Sequence, residues 1–352
     1  MTTTNVHKQG MELKSSWDVW GLVSKGVFMV GVFVLATAAR GEWFLVAKYL
    51  GKDFLRDVMP TSDVKVNTTS QLGRQLQVAG FKDLPIYVAV TVLVSFSTFW
   101  GIGMSFDYYF YRNRKYKAEE WKCQPDRWLS NSTEWHEFLL GSFNVLISSV
   151  AYGFISCYIM NGGKCTLYAR PDEYGLAYLL LSVPALFIYN EAIIYYAHRM
   201  FHTPFLYRHF HKVHHRNKSP TLYGVFATHP LEFIFYQILV AWPVIVVPLH
   251  AGVFLTILLY GYYYGMMDHS GIKMDALWPW QPSTMFHDDH HRHFHCNFGT
   301  NTILFDRFHG TLRRTNRKYG EKVFGGKGTA ESSENNQSEF YTYSTWNISP
   351  FK

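Results

Sequence analysis

Tyr174 to His202 reads YGLAYLLLSVPALFIYNEAIIYYAHRMFH, an apolar run that ends in two histidines four positions apart. The stretch from Tyr174 to Asn190 carries no charge and approaches the roughly 20 apolar residues that a spanning helix needs. Residues three or four apart share one face of a helix, so His198 and His202 would project together where that helix leaves the bilayer. A membrane helix that delivers a pair of imidazoles to the interface is the organising feature of this chain.

Two further clusters follow, His211-Lys-Val-His214-His215 and His287-Asp-Asp-His290-His291. Thr203-Pro204 breaks the first helix, and Pro204 with Phe205 starts the next. On that second helix His211, His214 and His215 stand at i, i+3 and i+4. The third cluster repeats the spacing at His287, His290 and His291. Three helical segments would thus offer eight imidazoles on one side of the membrane, and His269, in Asp268-His-Ser-Gly271, makes a ninth.

Neutral imidazole is the commonest side-chain metal ligand near neutral pH. All-nitrogen ligation suits zinc, copper, iron or nickel. A structural zinc closes with four ligands, so eight or nine exceed one such ion. Two ions, each with three to five imidazoles and open positions, fit oxygen activation by a pair of irons, because iron changes oxidation state and zinc does not. Asp288, Asp289, Asp268 and Glu191 are candidates to orient the rings, Asp268 first because it adjoins a ligand. His7 and His136 read as surface residues and His250 as part of a bend. His209, His229, His293, His295 and His309 read as structural or supporting groups, with His229 and His295 the two that could also ligate.

The rest of the chain supplies the membrane frame. Leu84 to Phe106 is 23 residues without a charge, Phe138 to Gly163 is 26, and Phe233 to Met267 is 35, interrupted only by His250. The last is a hairpin of two short or tilted helices, with Pro243, Pro248 and Gly252 available for the reversal. Gly26 to Ala39 adds a span if it extends back towards Trp20 with Lys25 snorkelling. The expected fold is an all-α integral membrane protein of about four transmembrane helices plus a re-entrant or hairpin pair, with a cytosolic, histidine-rich di-metal cap. Residues 1–19 form a cytosolic N-terminal segment, 20–318 the membrane domain, and 319–352 a polar, flexible tail.

Net charge is +7, and its placement matters more than its size. Arg112, Arg114, Lys115 and Lys117 follow one span, and Arg199, Arg208, Lys212, Arg216 and Lys218 sit among the histidines, which puts both segments on the cytosolic face. No folded basic module accompanies these charges, so nucleic acid is excluded as a partner. Four scattered cysteines form neither a disulfide framework nor a C-x-x-C zinc site, although Cys157 and Cys165 flank one turn and could bridge. Asn67-Thr-Thr falls on the expected lumenal side and Asn131-Ser-Thr on the cytosolic side. The aromatic run Tyr260, Tyr262, Tyr263, Tyr264, with Met266 and Met267, either lines a substrate channel or packs helices.

The segment from His198 to Arg314 resembles the fatty acid hydroxylase superfamily of membrane sterol desaturases, methylsterol monooxygenases and cholesterol 25-hydroxylases. The resemblance rests on the three boxes in order, on Asp268-His-Ser-Gly271, on His293-Phe-His-Cys-Asn-Phe-Gly299 and on Phe305-Asp-Arg-Phe-His-Gly-Thr-Leu-Arg313. His229-Pro-Leu-Glu232 is similar to the methylsterol oxidases. The resemblance implies two irons held by His198, His202, His211, His214, His215, His287, His290 and His291, with His269 a further match. It implies O2 as co-substrate, a sterol or related lipid as substrate, and an endoplasmic reticulum membrane. Electrons would come from NAD(P)H through cytochrome b5 and its reductase as separate proteins, since no His-Pro-Gly-Gly haem motif is present. Sterol C–H hydroxylation is the first reading. Desaturation, fatty-acyl hydroxylation and epoxidation by the alternative type of squalene epoxidase are near alternatives. A non-catalytic membrane metal binder or transporter is the alternative from another class.

Overall fold

A computed structural model describes residues 80–330, except 277 and 279, together with Tyr343. The expected first span and Asn67 lie outside the described residues. Helix α1 covers Leu84–Phe106, the stretch expected from the absence of charge, and runs on as a π-helical turn over Asp107–Arg112. A short α2 (Ala118–Trp121) precedes α3 (Asn131–Met160), whose N-terminus is capped by the Ser130 hydroxyl accepting from the Thr133 amide. Helix α4 spans Leu176–Phe201 and tolerates Pro184 inside it. These three long helices, the first counted through Arg112, are long and apolar enough to cross a membrane, and most of each apolar window faces outward. Leu93, Leu180 and Leu181 are each more than 60% exposed, which hydrocarbon accommodates and water does not.

Small residues let α1 and α3 approach closely, as is usual between membrane helices. A Cβ placed on Gly153 would lie 2.8 Å from the Val88 backbone, and one on Gly141 3.1 Å from the Phe99 ring. Thr91 Oγ1 donates to the Ser149 carbonyl across the same contact. Phe99, fully buried, anchors a core with Phe110, Trp121, Val145, Leu222, Met266 and Met267.

The expected hairpin is present as α6 (Pro230–Ala241), a short α7 (Pro243–Val246) and α8 (Ala251–Asp268). Pro243 starts α7, Pro248 lies in the bend, and Gly252 sits inside α8 rather than in the reversal. Strand β1 (Leu167–Tyr168) pairs in parallel with β2 (Leu249–His250), tying the bend to the turn after α3. His250 is buried there, its Nε2 bonded to the Ala169 carbonyl. Cys157 and Cys165 are free thiols. The bridge their spacing allowed is not formed, and Cys157 Sγ instead contacts the Lys82 carbonyl.

At the opposite end lie the close of α1, the start of α3, the close of α4, the start of α6 and the close of α8. Tyr111 OH donates to the Ser270 carbonyl and Asn144 Nδ2 to the carbonyls of Phe226 and Thr228, joining these ends. Short elements cover this end: α5 (Pro204–His209), 3-10 turns over His211–Arg216 and Leu222–Phe226, α9 (Met285–His293) and α10 (Leu304–His309). The chain is mostly helical rather than wholly so. Strands β3 (Arg317–Lys318) and β4 (Thr329–Ala330) form a second small antiparallel pair.

Candidate metal centre

The last turn of α4 and its C-cap present His198 and His202. The next segment departs from a single helix. Helix α5 ends at Phe210, whose φ of −126° and ψ of −62° break the coil, and His211–Arg216 continue as a 3-10 helix. His211, His214 and His215 therefore do not share one α-helical face. Phe210 packs edge-on against His229, and His211 is held by Glu232, contacts that outweigh local helix continuity.

The nine histidines form two adjoining groups, all buried. His198, His202, His211, His215 and His290 make one, and His214, His269, His287 and His291 the other; within each, one ring nitrogen per residue lies within 4.8 Å of the rest. Both later clusters are divided between the groups. Neighbours on an α-helix diverge by about 100°, so His290 and His291 on α9 face different centres, while His287 and His291, one turn apart, meet edge-on on the same side. His214 and His215 diverge in the same way in the tighter 3-10 turn, their ring centroids 5.4 Å apart.

Hydrogen bonds decide which nitrogen of several rings faces inward. A carbonyl oxygen only accepts, so a ring nitrogen bonded to one carries the proton. His198 Nδ1 donates to the Phe298 carbonyl at 2.8 Å, His290 Nδ1 to Cys296 at 2.7 Å, and His269 Nδ1 to Gly265 at 2.8 Å. His211 Nδ1 donates to Glu232 Oε1. In these four the Nε2 lone pair is left for the centre. His287 Nε2 and His214 Nε2 approach His269 Nε2 at 2.9 and 3.2 Å, and His215 Nε2 approaches His290 Nε2 at 3.0 Å. Bare lone pairs at such separations are the arrangement that a cation between them satisfies. His202 Nε2, His211 Nε2 and both nitrogens of His291 are buried with no hydrogen-bond partner. This donor set fits one divalent ion per group.

Burial, reinforced by neighbouring imidazoles, pushes the pKa values of His214, His215, His287, His290 and His291 well below the ordinary histidine value. His269 is lowered to about 4, mainly by burial. The rings are held neutral, the form that binds metal.

The supporting carboxylates differ from those expected. Asp288 and Asp289 are buried, not solvated, and neither carboxylate holds a cage ring. Asp288 accepts from Gln124 Nε2, and burial raises it to about 7. Asp289 accepts from Arg313 Nη1 and Tyr343 OH. Glu191 holds Asn301 and Thr300 instead of a histidine. Both oxygens of buried Asp268 lack a hydrogen-bond partner. Glu232, not singled out for this role, is the carboxylate that orients a ring; its signal was a lone acid opening the longest apolar run. His229 caps α6 by accepting from the Leu231 amide and belongs to neither group. His295 bonds His202 and lies behind the cage. Of the aromatic run, Tyr262, Tyr263, Met266 and Met267 pack in the core, and Tyr264 OH donates to the Pro282 carbonyl.

Comparison with known proteins agrees with the boxes. Residues 183–311 match the fatty acid hydroxylase family model, and this segment contains all nine histidines. A Delta(7)-sterol 5(6)-desaturase of Candida glabrata is 31% identical over 154 residues, 43% of this chain and 42% of that protein. The corresponding desaturase of Schizosaccharomyces pombe is 29% identical over 160 residues, 46% of this chain and 53% of its own. Lathosterol oxidase of Homo sapiens is 29% identical over 142 residues, 40% and 48% respectively. The chain spans about half the length of the curated relatives it matches. No solved structure matches.

Proposed function

With a fatty acid hydroxylase segment at residues 183–311, we propose that this protein is a membrane non-haem di-iron oxidoreductase acting on a sterol or related isoprenoid lipid. The observation that carries the proposal is the pair of buried imidazole groups in which the Nε2 atoms of His214, His269 and His287 and of His215 and His290 face one another, while those of His202, His211 and His291 have no hydrogen-bond partner. His198, His202, His211, His215 and His290 would hold one iron, and His214, His269, His287 and His291 the other. Bound there, the irons supply reductive activation of O2 for attack on an unactivated C–H bond.

The chain's own work is positioning and exclusion of water. The backbone carbonyls of Phe298, Cys296 and Gly265 and the Glu232 carboxylate hold protons on the outward nitrogens. Burial keeps His214, His215, His269, His287, His290 and His291 neutral. The cage sits at the ends of the helices long and apolar enough to span, where a lipid that stays in the bilayer would present its reactive carbon.

Basic residues share the cage end, which supports a cytosolic orientation in the endoplasmic reticulum membrane. Electrons then arrive from NAD(P)H through cytochrome b5 and its reductase. Hydroxylation and desaturation share the first hydrogen abstraction. Desaturation is the second reading, favoured by the names of the two fungal sterol relatives. A metal transporter is disfavoured, because Glu137, Asn144, Ser149, Ser182 and Glu191, buried polar groups along the spans, each bond to nearby backbone or loops.

The test uses the full chain purified in detergent, with iron assayed and sterol mixtures supplied with O2 and a reductant. Two irons per chain and an O2-dependent sterol product are expected. Unchanged turnover after iron removal, or a zinc-only protein that converts no lipid, overturns the reading.

A further inference from the structure

The segment that follows the last histidine motif reads as a polar tail, yet its first part reaches the cage. His202 Nδ1 lies 2.9 Å from His295 Nδ1, and the other nitrogen of His295, Nε2, lies 2.9 Å from the backbone carbonyl of Glu321. His202 and His295 are both buried. Phe324 covers the outer face of His295, ring centroids 4.2 Å apart, and Tyr207 lies edge-on at 5.0 Å. Lys212, inside the second histidine cluster, pairs with the Glu321 carboxylate at 2.6 Å. Strands β3 and β4 close the loop that carries Glu321 and Phe324.

These contacts run in one direction. The Glu321 carbonyl can only accept, so His295 carries its proton on Nε2 and its Nδ1 is a lone pair. That lone pair accepts from His202, so the His202 proton sits on Nδ1. His202 Nε2, buried and without a hydrogen-bond partner, is thereby left as a free donor to the first group. The opposite chain of protons would put an N–H inside the cage and remove His202 as a ligand. No other contact to His202 Nδ1 competes with His295 among the described hydrogen bonds.

We propose that His295, clamped by the Glu321 carbonyl under Phe324, is a positioning residue that fixes the His202 tautomer for the first metal ion. It deepens the metal-centre reading and rests on it. It also gives residues 319–324 a task in metal binding that their polar composition does not announce. Partners behind a ligating histidine typically change metal affinity by 10- to 100-fold when removed.

The experiment measures Co(II) binding by the full chain in detergent, by titration against a competing chelator and by the visible absorption of the bound ion. Wild type, His295→Leu and His295→Gln are compared. Leucine fills space without a hydrogen bond. Glutamine can accept from His202 Nδ1 with its carbonyl and donate to Glu321 with its amide. Expected is a roughly 10- to 100-fold loss of affinity for one of two ions in His295→Leu, with an altered spectrum for that ion. The second ion stays bound, and His295→Gln recovers most of the loss. Equal affinity and spectrum in His295→Leu overturns the inference while leaving the metal centre intact. So does a glutamine variant as impaired as leucine, which would reduce His295 to a packing role. A wild-type protein that binds no Co(II) in either group instead overturns the underlying reading.

Discussion

His211 Nδ1 lies 2.5 Å from Glu232 Oε1, and both side chains are sealed from solvent. The two residues belong to different elements, the 3-10 turn and the start of α6, so the bond fixes the hairpin to the cage as well as orienting the ring. Glu232→Ala should lower affinity for the first-group ion about 10- to 100-fold, and Glu232→Gln, which keeps an acceptor, far less. Chelator competition checks this. Equal losses in both variants would mean that the carboxylate acts by charge and not by geometry.

Adjacent histidines should have separable effects. His214 belongs to the four-residue group and His215 to the five-residue group. His214→Ala is expected to release one ion and His215→Ala the other, each leaving about one ion per chain after dialysis. Both should abolish turnover, because reaction needs the pair. If the two variants lose the same ion, the division of the clusters is wrong.

Gly153 tests the helix packing that carries the cage. Any side chain there meets the Val88 backbone at 2.8 Å, which cannot rotate away. Gly153→Val should cost about 1–3 kcal/mol by overpacking and lower the thermal midpoint in detergent. Gly162, where a Cβ meets nothing but φ is +89°, is the contrasting site at which strain alone acts.

Stability should fall as pH falls below the ordinary histidine value of 6.5. His214, His215, His287, His290, His291 and His269 are held neutral when folded, whereas unfolded histidines take up protons. The unfolded state then binds more protons, so the slope of unfolding free energy against pH is positive in this window. Asp288, raised to about 7, Asp306, raised to about 6, and Asp289, also raised by burial, act with the opposite sign. The buried imidazoles outnumber these carboxylates. Thermal unfolding of the chelated protein at pH 7.5 and 5.5 should show the lower midpoint at 5.5, and a larger gap with metal bound, since metal also demands neutral rings. A midpoint that rises on acidification would contradict the neutral-cage argument.

The apolar runs were legible because hydrocarbon selects on composition alone. An uncharged stretch from Leu84 to Phe106 becomes a helix in a medium that leaves backbone groups no other partner. The nine gathered histidines were legible too, since their spacing is local. Their division into five and four was not, because it depends on Phe210 breaking a helix and on the rotation of α9 relative to its neighbours.

The chain's order of residues thus determined which side chains are available for chemistry and which segments prefer lipid. Tertiary structure decided which nitrogen of His198, His202 and His211 faces inward, whereas His269 and His290 bond carbonyls only four and six positions away. Glu232, the Phe298 carbonyl and the Glu321 carbonyl lie 21 to 119 positions from the rings they direct, counting from His202 to Glu321 for the longest relay. A proton's place on an imidazole is set by whatever acceptor folding brings within about 3 Å, and no local pattern encodes a neighbour that distant.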